Sequence, residues 1–165
     1  MTGSSAAALT GLMFVVITLL NRRERSEQSA LGISTFSTPT VLHFCAALFV
    51  SALLSAPWRS PTQVAAVLGL IGFSGSVYLL RVMHRAHHVT AYTLDFEDWI
   101  WYTLLPFAAY LTLAVAAIVL AVDPARALFT IAGTVIALTF VGIRNAWDIV
   151  TYLAIGGLQG PPEQP

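Results

Sequence analysis

Long apolar stretches alternate with short polar segments along the chain, and this alternation occurs five times. A helix needs about 20 mostly apolar residues to cross the roughly 30 Å hydrocarbon core of a bilayer, and each stretch is close to that length. The predicted spans are residues 5–21, 39–56, 61–82, 99–122 and 124–147. The pattern therefore predicts an all-α fold, a polytopic transmembrane helical bundle of five spans in a single domain of residues 1–157. Residues 158–165 follow two glycines and are predicted to form a disordered C-terminal tail.

Three of the predicted spans begin at a proline that follows a residue able to cap a helix. The pairs are Thr38-Pro39, Ser60-Pro61 and Asp123-Pro124. Proline suits the first turn because its missing N–H would have no partner there, and the preceding side-chain oxygen accepts a neighbouring N–H. The connections at residues 56–60 and 122–123 are short, and short connections force antiparallel neighbours. We therefore expect two tight hairpins beside the first helix.

The composition supports a membrane protein and excludes two other classes. Of the 165 residues, 57% are hydrophobic and 10% are charged, whereas soluble domains are about 25% charged; the mean hydropathy is +0.77. The chain therefore has too few polar groups to cover a soluble monomer. A formal net charge of +0 without a basic stripe excludes a nucleic-acid-binding protein. The single cysteine, Cys45, excludes an intrachain disulfide and a multi-cysteine metal site.

Arginine placement predicts the orientation in the bilayer, since cytoplasmic loops carry an excess of positive residues. Three arginines lie in the loop after the first span, and Arg81 and Arg85 lie at the end of the third, whereas only Arg59 and Arg126 lie on the opposite side. We therefore expect the N-terminus outside and the C-terminus in the cytoplasm. The expected location is the cell membrane, specifically a bacterial inner membrane, with the lipid bilayer as its surroundings.

Small residues and one proline give two expectations about helix packing. The third span contains the small residues Gly69, Gly72, Gly75 and Ser76. Small residues four apart let helix backbones approach closely, either within this chain or in an oligomer contact. Pro106 lies inside the fourth span and is expected to kink it.

A histidine cluster follows the third span, with His84, His87 and His88 in the order H-x-x-H-H. On a helix these positions share one face, and imidazoles are suitable iron ligands. The string resembles one histidine box of the membrane fatty-acid desaturases and hydroxylases, which bind two irons. That family uses three such boxes, whereas this chain has four histidines in all. The alternatives are a simpler metal site completed by Asp95, Glu97 or Asp98, and a solvated loop near lipid phosphates; no other cofactor is expected.

A second polar set is predicted to converge in the cytoplasmic leaflet, with His43, Asp98, Arg144 and Asp148 as its members. Arg144 and Asp148 are four residues apart and therefore share a helix face. In one alternative, the fifth span ends near Arg144 and both side chains lie at the membrane interface. In the other, the span continues past Asp148 and both side chains are buried in the membrane. Ionisable groups inside a membrane are costly and indicate functional sites.

Three functions remain open at this stage. The first is a non-enzymatic membrane bundle that associates with itself or with another membrane protein. The second is a small oligomeric transporter or proton-coupled carrier that uses the inner-leaflet polar set. The third is a metal-dependent membrane enzyme that uses the histidine cluster. No catalytic residue is predicted, because the sequence contains no phosphate-binding glycine loop, nucleophile elbow or zinc-protease motif.

Overall fold

The computed structural model describes residues 1–21, 27–88 and 96–156, and every regular element in these ranges is helical. The helices are α1 (Thr2–Asn21), α2 (Glu27–Ser55), α3 (Pro61–His88), α4 (Phe96–Trp99), α5 (Leu105–Val119) and α6 (Pro124–Gly156), with a π-helical turn at Ile100–Leu104. Because α4, the π-helical turn and α5 follow one another without a gap, they form one continuous rod. The predicted tail, residues 158–165, lies outside the described residues.

Four stretches of these helices are long and apolar enough to cross a membrane, namely Thr38–Ser55, Pro61–His84, Ile100–Val119 and Pro124–Thr151. Helix α1 has 20 residues, about 30 Å of helix, and its apolar residues continue from Ala6 to Leu20. The prediction of an all-helical, multi-pass membrane protein is therefore confirmed at the level of four or five spans.

Two of the three predicted helix starts are confirmed. Helix α3 begins at Pro61, where the Thr62 N–H donates to the Ser60 hydroxyl over 3.2 Å. Helix α6 begins one residue after Asp123, whose carboxylate accepts the Arg126 N–H over 3.2 Å. In each case a side-chain oxygen pairs with an amide that the first turn of the helix leaves without a partner.

The predicted start at Thr38-Pro39 is wrong, because α2 begins at Glu27 and Pro39 lies inside the helix. A proline in a helix removes one backbone hydrogen bond. Residues 27–38 contain no proline to end a helix, whereas Pro57 lies four residues before Pro61. A capping residue followed by proline is therefore not sufficient to mark a helix start.

The helices pack in an order that differs from the predicted pair of hairpins. Helix α5 packs against α3 and α6, α6 packs against α2, and α2 packs against α1. The α5/α6 hairpin is therefore confirmed, but α2 and α3 barely touch although five residues join them. The prediction of a second tight hairpin is wrong because α3 turns its glycine-bearing face to α5 instead of α2.

Residues at the centre of the bundle are apolar, and so are many on its outer surface. Leu68, Leu113 and Ile131 are fully buried where α3, α5 and α6 meet. On the outside, Ile118 is 75% exposed and Phe129 is 84% exposed. Large exposed apolar surfaces mark contact with other proteins or with a membrane. Here they extend along helices of membrane-spanning length, which is the arrangement expected of a bundle surrounded by lipid.

Candidate functional site

The small residues of α3 allow a close approach to α5. A Cβ atom on Gly72 would lie 2.5 Å from the Ala114 nitrogen, and one on Gly75 would overlap the ring of Tyr110. Gly69 lies farther from α5 than the other two glycines do, since a Cβ on Gly69 would make an ordinary 3.7 Å contact with the Ala117 Cβ. The three glycines therefore pack against α5 of the same chain. Ser76 is buried beside them, and its hydroxyl donates to the Gly72 carbonyl over 2.8 Å.

Tyr110, which occupies the space left by Gly75, forms a buried polar pair with His43 of α2. The His43 Nδ1 atom lies 3.2 Å from the tyrosine hydroxyl, and the two side chains are 0% and 1% exposed. Within the described part of the chain, the His43 Nε2 atom has no hydrogen-bond partner. The pair joins α2 to α5 across the bundle, and sequence reasoning missed Tyr110 because it counted this aromatic residue as part of an apolar span.

Arg144 of α6 is the centre of a charged network at one end of the bundle. Its Nη2 atom lies 3.1 Å from a Glu97 carboxylate oxygen, and its Nη1 atom pairs with the Asp148 carboxylate one turn later on α6. The guanidinium group also lies over the Trp101 ring, 5.7 Å from its centroid. Arg144 and Asp148 are half-buried and Glu97 is exposed, so the network is only partly shielded from its surroundings.

The structure brings together two of the four residues predicted to converge. Arg144 and Asp148 pair with each other, whereas His43 pairs with Tyr110. No hydrogen bond or ion pair joins His43 to Arg144 among the interactions of the described residues, and the side chain of Asp98 lies outside them. The sequence analysis named Glu97 only as a possible metal ligand, and it predicted neither the contact of Glu97 nor that of Trp101 with Arg144.

Pro106 follows the π-helical turn, where the backbone hydrogen bonds shift by one residue. The Leu105 N–H donates to the Ile100 carbonyl, a bond that spans five residues. The same register would join residue 106 to the Trp101 carbonyl, but proline has no N–H. The side-chain amide of the fully buried Asn145 donates to that carbonyl over 3.4 Å. Turns of this kind bend helices and recur at functional positions.

The predicted histidine cluster is described only in part. His84 is exposed on the last turns of α3, whereas the side chains of His87 and His88 lie outside the described residues. Among the residues that the structure describes, no group of three or more His, Cys, Asp or Glu side chains could hold a metal ion. The histidine site therefore stays a prediction.

A cleft of about 480 Å³, here called the α2/α3 cleft, separates α2 from α3. Tyr110 of α5 also lines it. Its walls include Thr38, Leu42, Cys45 and Phe49 from α2 and Ile71, Ser74 and Tyr78 from α3. The cleft is the consequence of the packing order, because α3 leans on α5 and leaves the space beside α2 unfilled.

Helix α6 carries a glycine that the chain itself does not use for packing. A Cβ on Gly133 would meet no atom of the described residues within 4 Å, and Ala137, one turn later, is exposed as well. Gly142 on the same helix differs, because its Cβ would lie 2.6 Å from the Phe44 ring. Gly133 and Ala137 therefore form an outward-facing pair of small residues, here called the α6 small face.

Comparison of the chain with protein-family models, with curated proteins and with solved structures gave no match.

Proposed function

We propose that this protein is a five-span, non-enzymatic protein of the cell membrane that acts by lateral association with a second copy of itself or with another membrane protein. The proposal places the N-terminus outside, the C-terminus in the cytoplasm, and α1 as the first span. The arginine distribution supports this orientation, because Arg81 and Arg85 lie in the last turns of α3, whereas Arg59 alone stands in the short turn before that helix.

The α6 small face is the observation that carries this proposal. Glycine destabilises a helix by about 1 kcal/mol relative to alanine, and Gly133 gives no internal packing in return. Small residues four apart on a membrane helix let a neighbouring helix approach closely, and van der Waals packing and weak hydrogen bonds then hold the pair. The aromatic residues Phe129 and Phe140, which flank the face, are exposed and available to the same neighbour.

The experiment measures the oligomeric state of the full chain in lipid nanodiscs or a mild detergent by light scattering and native mass spectrometry. The wild-type protein is expected as a dimer or larger assembly, or with a copurifying membrane protein. Gly133→Leu fills the α6 small face and is expected to yield the monomer. Ala66→Leu is the control, because Ala66 is exposed on α3 and has neither glycine nor alanine four positions away on either side, and it is expected to leave the assembly intact. A wild-type protein that is strictly monomeric, with no copurifying chain, contradicts the proposal.

A small oligomeric transporter is the second candidate, and the Arg144 network favours it. Arg144 and Asp148 both lie inside Pro124–Thr151, the apolar stretch of α6. Ionisable residues within a span are rare and mark ion or substrate pathways. Arg144→Gln and Asp148→Asn are expected to abolish flux through proteoliposomes, with Asp123→Asn in the turn before α6 as the control. Unchanged flux in the first two variants would remove this candidate.

A further inference from the structure

The α2/α3 cleft runs along one face of α2. It extends from Thr38 to Phe49, which is about 17 Å of helix at 1.5 Å per residue. Its volume is about 480 Å³, and it is open to the outside of the bundle. An extended hydrocarbon chain, with contacts at about 3.5–4.0 Å between carbon atoms, can lie along it.

The surface of the cleft is almost wholly apolar. Phe49 and Ile71 line it near the short turn between α2 and α3. Thr38 and Tyr78 line the opposite end, here called the polar end because both carry hydroxyl groups. No charged side chain lines the cleft among the residues described. This lining matches the hydrocarbon chain of an amphiphile whose headgroup lies beyond the polar end.

A cationic side chain lies just beyond the polar end of the cleft. Arg81 follows Tyr78 by one turn of α3, so the two residues are neighbours on the helix surface. Arg81 is exposed, and the described part of the chain gives it no ion-pair partner. Arginine binds phosphate through two parallel N–H donors. The guanidinium group is therefore complementary to the phosphate of a lipid headgroup at the membrane surface.

We infer that the α2/α3 cleft is a lipid-binding site that holds one acyl chain of an anionic phospholipid, with the phosphate of that lipid at Arg81. The chain fills the space that the packing of α3 on α5 leaves open, and the headgroup remains at the interface. This site is separate from the α6 small face, so either proposal can fail without the other.

Cys45 gives a direct probe of occupancy, because it lines the cleft and is the one cysteine of the sequence. It lies seven residues after Thr38, about 10 Å along α2 from the polar end. A bound acyl chain covers the thiol. The experiment measures the rate at which N-ethylmaleimide alkylates Cys45 in the full chain, in micelles supplemented with phosphatidylglycerol, with phosphatidylcholine or with no lipid.

Phosphatidylglycerol is expected to slow alkylation about tenfold relative to phosphatidylcholine, because the charged contact favours the anionic headgroup. Arg81→Gln is expected to remove this difference, whereas Arg59→Gln, at the other end of the bundle, is expected to preserve it. Ser74→Phe fills the cleft and is expected to slow alkylation in the absence of lipid. Ala66→Phe, an equal enlargement on an exposed part of α3 outside the cleft, is expected to leave the rate unchanged.

Three results would overturn the inference. The first is equal protection by the two lipids, since the site then has no preference for the anionic headgroup. The second is a preference for phosphatidylglycerol that persists in Arg81→Gln, because the guanidinium group then does not bind the headgroup. This comparison does not use Ser74→Phe, so it remains valid if that variant fails to fold. The third is protection that disappears when the protein is diluted at constant lipid concentration, because the occupant is then a second copy of the chain.

Discussion

The side-chain amide of Asn145 on α6 donates to the backbone carbonyl of Trp101 on the neighbouring rod, over 3.4 Å. The π-helical register would pair that carbonyl with residue 106, but proline occupies the position and has no N–H to donate. Tyr102 strengthens the junction, because its hydroxyl donates to the Asn145 carbonyl over 3.4 Å. A defect in one helix is thus compensated by a side chain from the helix packed against it.

This relationship predicts that Asn145→Leu destabilises the protein by about 1 kcal/mol, because a carbonyl in a low-dielectric interior loses its donor. Pro106→Ala supplies a backbone N–H and is expected to reduce that cost. The measurement is unfolding in mixed micelles at increasing SDS fraction, for the wild type, the two single variants and the double variant. Additive effects of the two substitutions would show that Asn145 does not compensate for Pro106.

The contact between α3 and α5 predicts a clear order among glycine substitutions. Gly72→Ala places a methyl group 2.5 Å from the Ala114 nitrogen and 2.8 Å from the Tyr110 carbonyl oxygen. Backbone atoms cannot rotate away, so we expect a loss of about 1–3 kcal/mol of unfolding free energy. Gly69→Ala is the control, because its methyl group makes only an ordinary contact. Equal stability of the two variants in SDS titration would contradict the close helix approach.

The buried pair of His43 and Tyr110 predicts non-additive substitutions. Tyr110→Phe removes the hydroxyl and leaves the His43 Nδ1 atom without its partner, which we expect to cost about 1–3 kcal/mol. His43→Leu combined with Tyr110→Phe removes both polar groups and is expected to cost less than the sum of the two single changes. A double-mutant cycle of unfolding free energies makes the comparison, and a coupling of zero would mean that the two side chains do not interact.

The charged network predicts that its two carboxylates contribute unequally. Asp148 is half-buried beside Arg144, whereas Glu97 is exposed, and exposed ion pairs contribute about 0–1 kcal/mol. Asp148→Asn should therefore destabilise the protein more than Glu97→Gln does. Unfolding at low and high salt tests this order, with Asp123→Asn at the start of α6 as the exposed-pair control. A larger effect of Glu97→Gln would be inconsistent with this geometry.

The sequence alone predicts the helical class and the helix ends at the two short turns, because hydropathy and capping act locally, but α3 and α6 continue past the predicted residues 82 and 147 to His88 and Gly156. The turns after Ser55 and before Pro124 follow from residues that adjoin them. The start of α2 does not follow, since Pro39 has the same local signature as Pro61 but lies inside a helix. Distinguishing the two prolines requires knowing how far the preceding residues can extend a helix.

The side-chain partners are less predictable, since they depend on which faces of the helices meet. Arg144 and Glu97 are 47 residues apart, and their pairing requires that the two helix ends lie side by side. His43 and Tyr110 are 67 residues apart, and their contact requires that Gly75 leave space for the tyrosine ring. The cleft also depends on which helix faces meet. Helix α3 packs its glycine-bearing face against α5, and the space between α3 and α2 therefore stays open.

Reporter fusions at the two ends of the full chain test the central proposal, a bundle that crosses the bilayer five times. Alkaline phosphatase is active outside the bacterial cytoplasm, and green fluorescent protein fluoresces inside it. The proposal predicts that only the phosphatase reports at the N-terminus and only the fluorescent protein at the C-terminus. Both ends on the same side of the membrane would mean an even number of spans and would contradict the account.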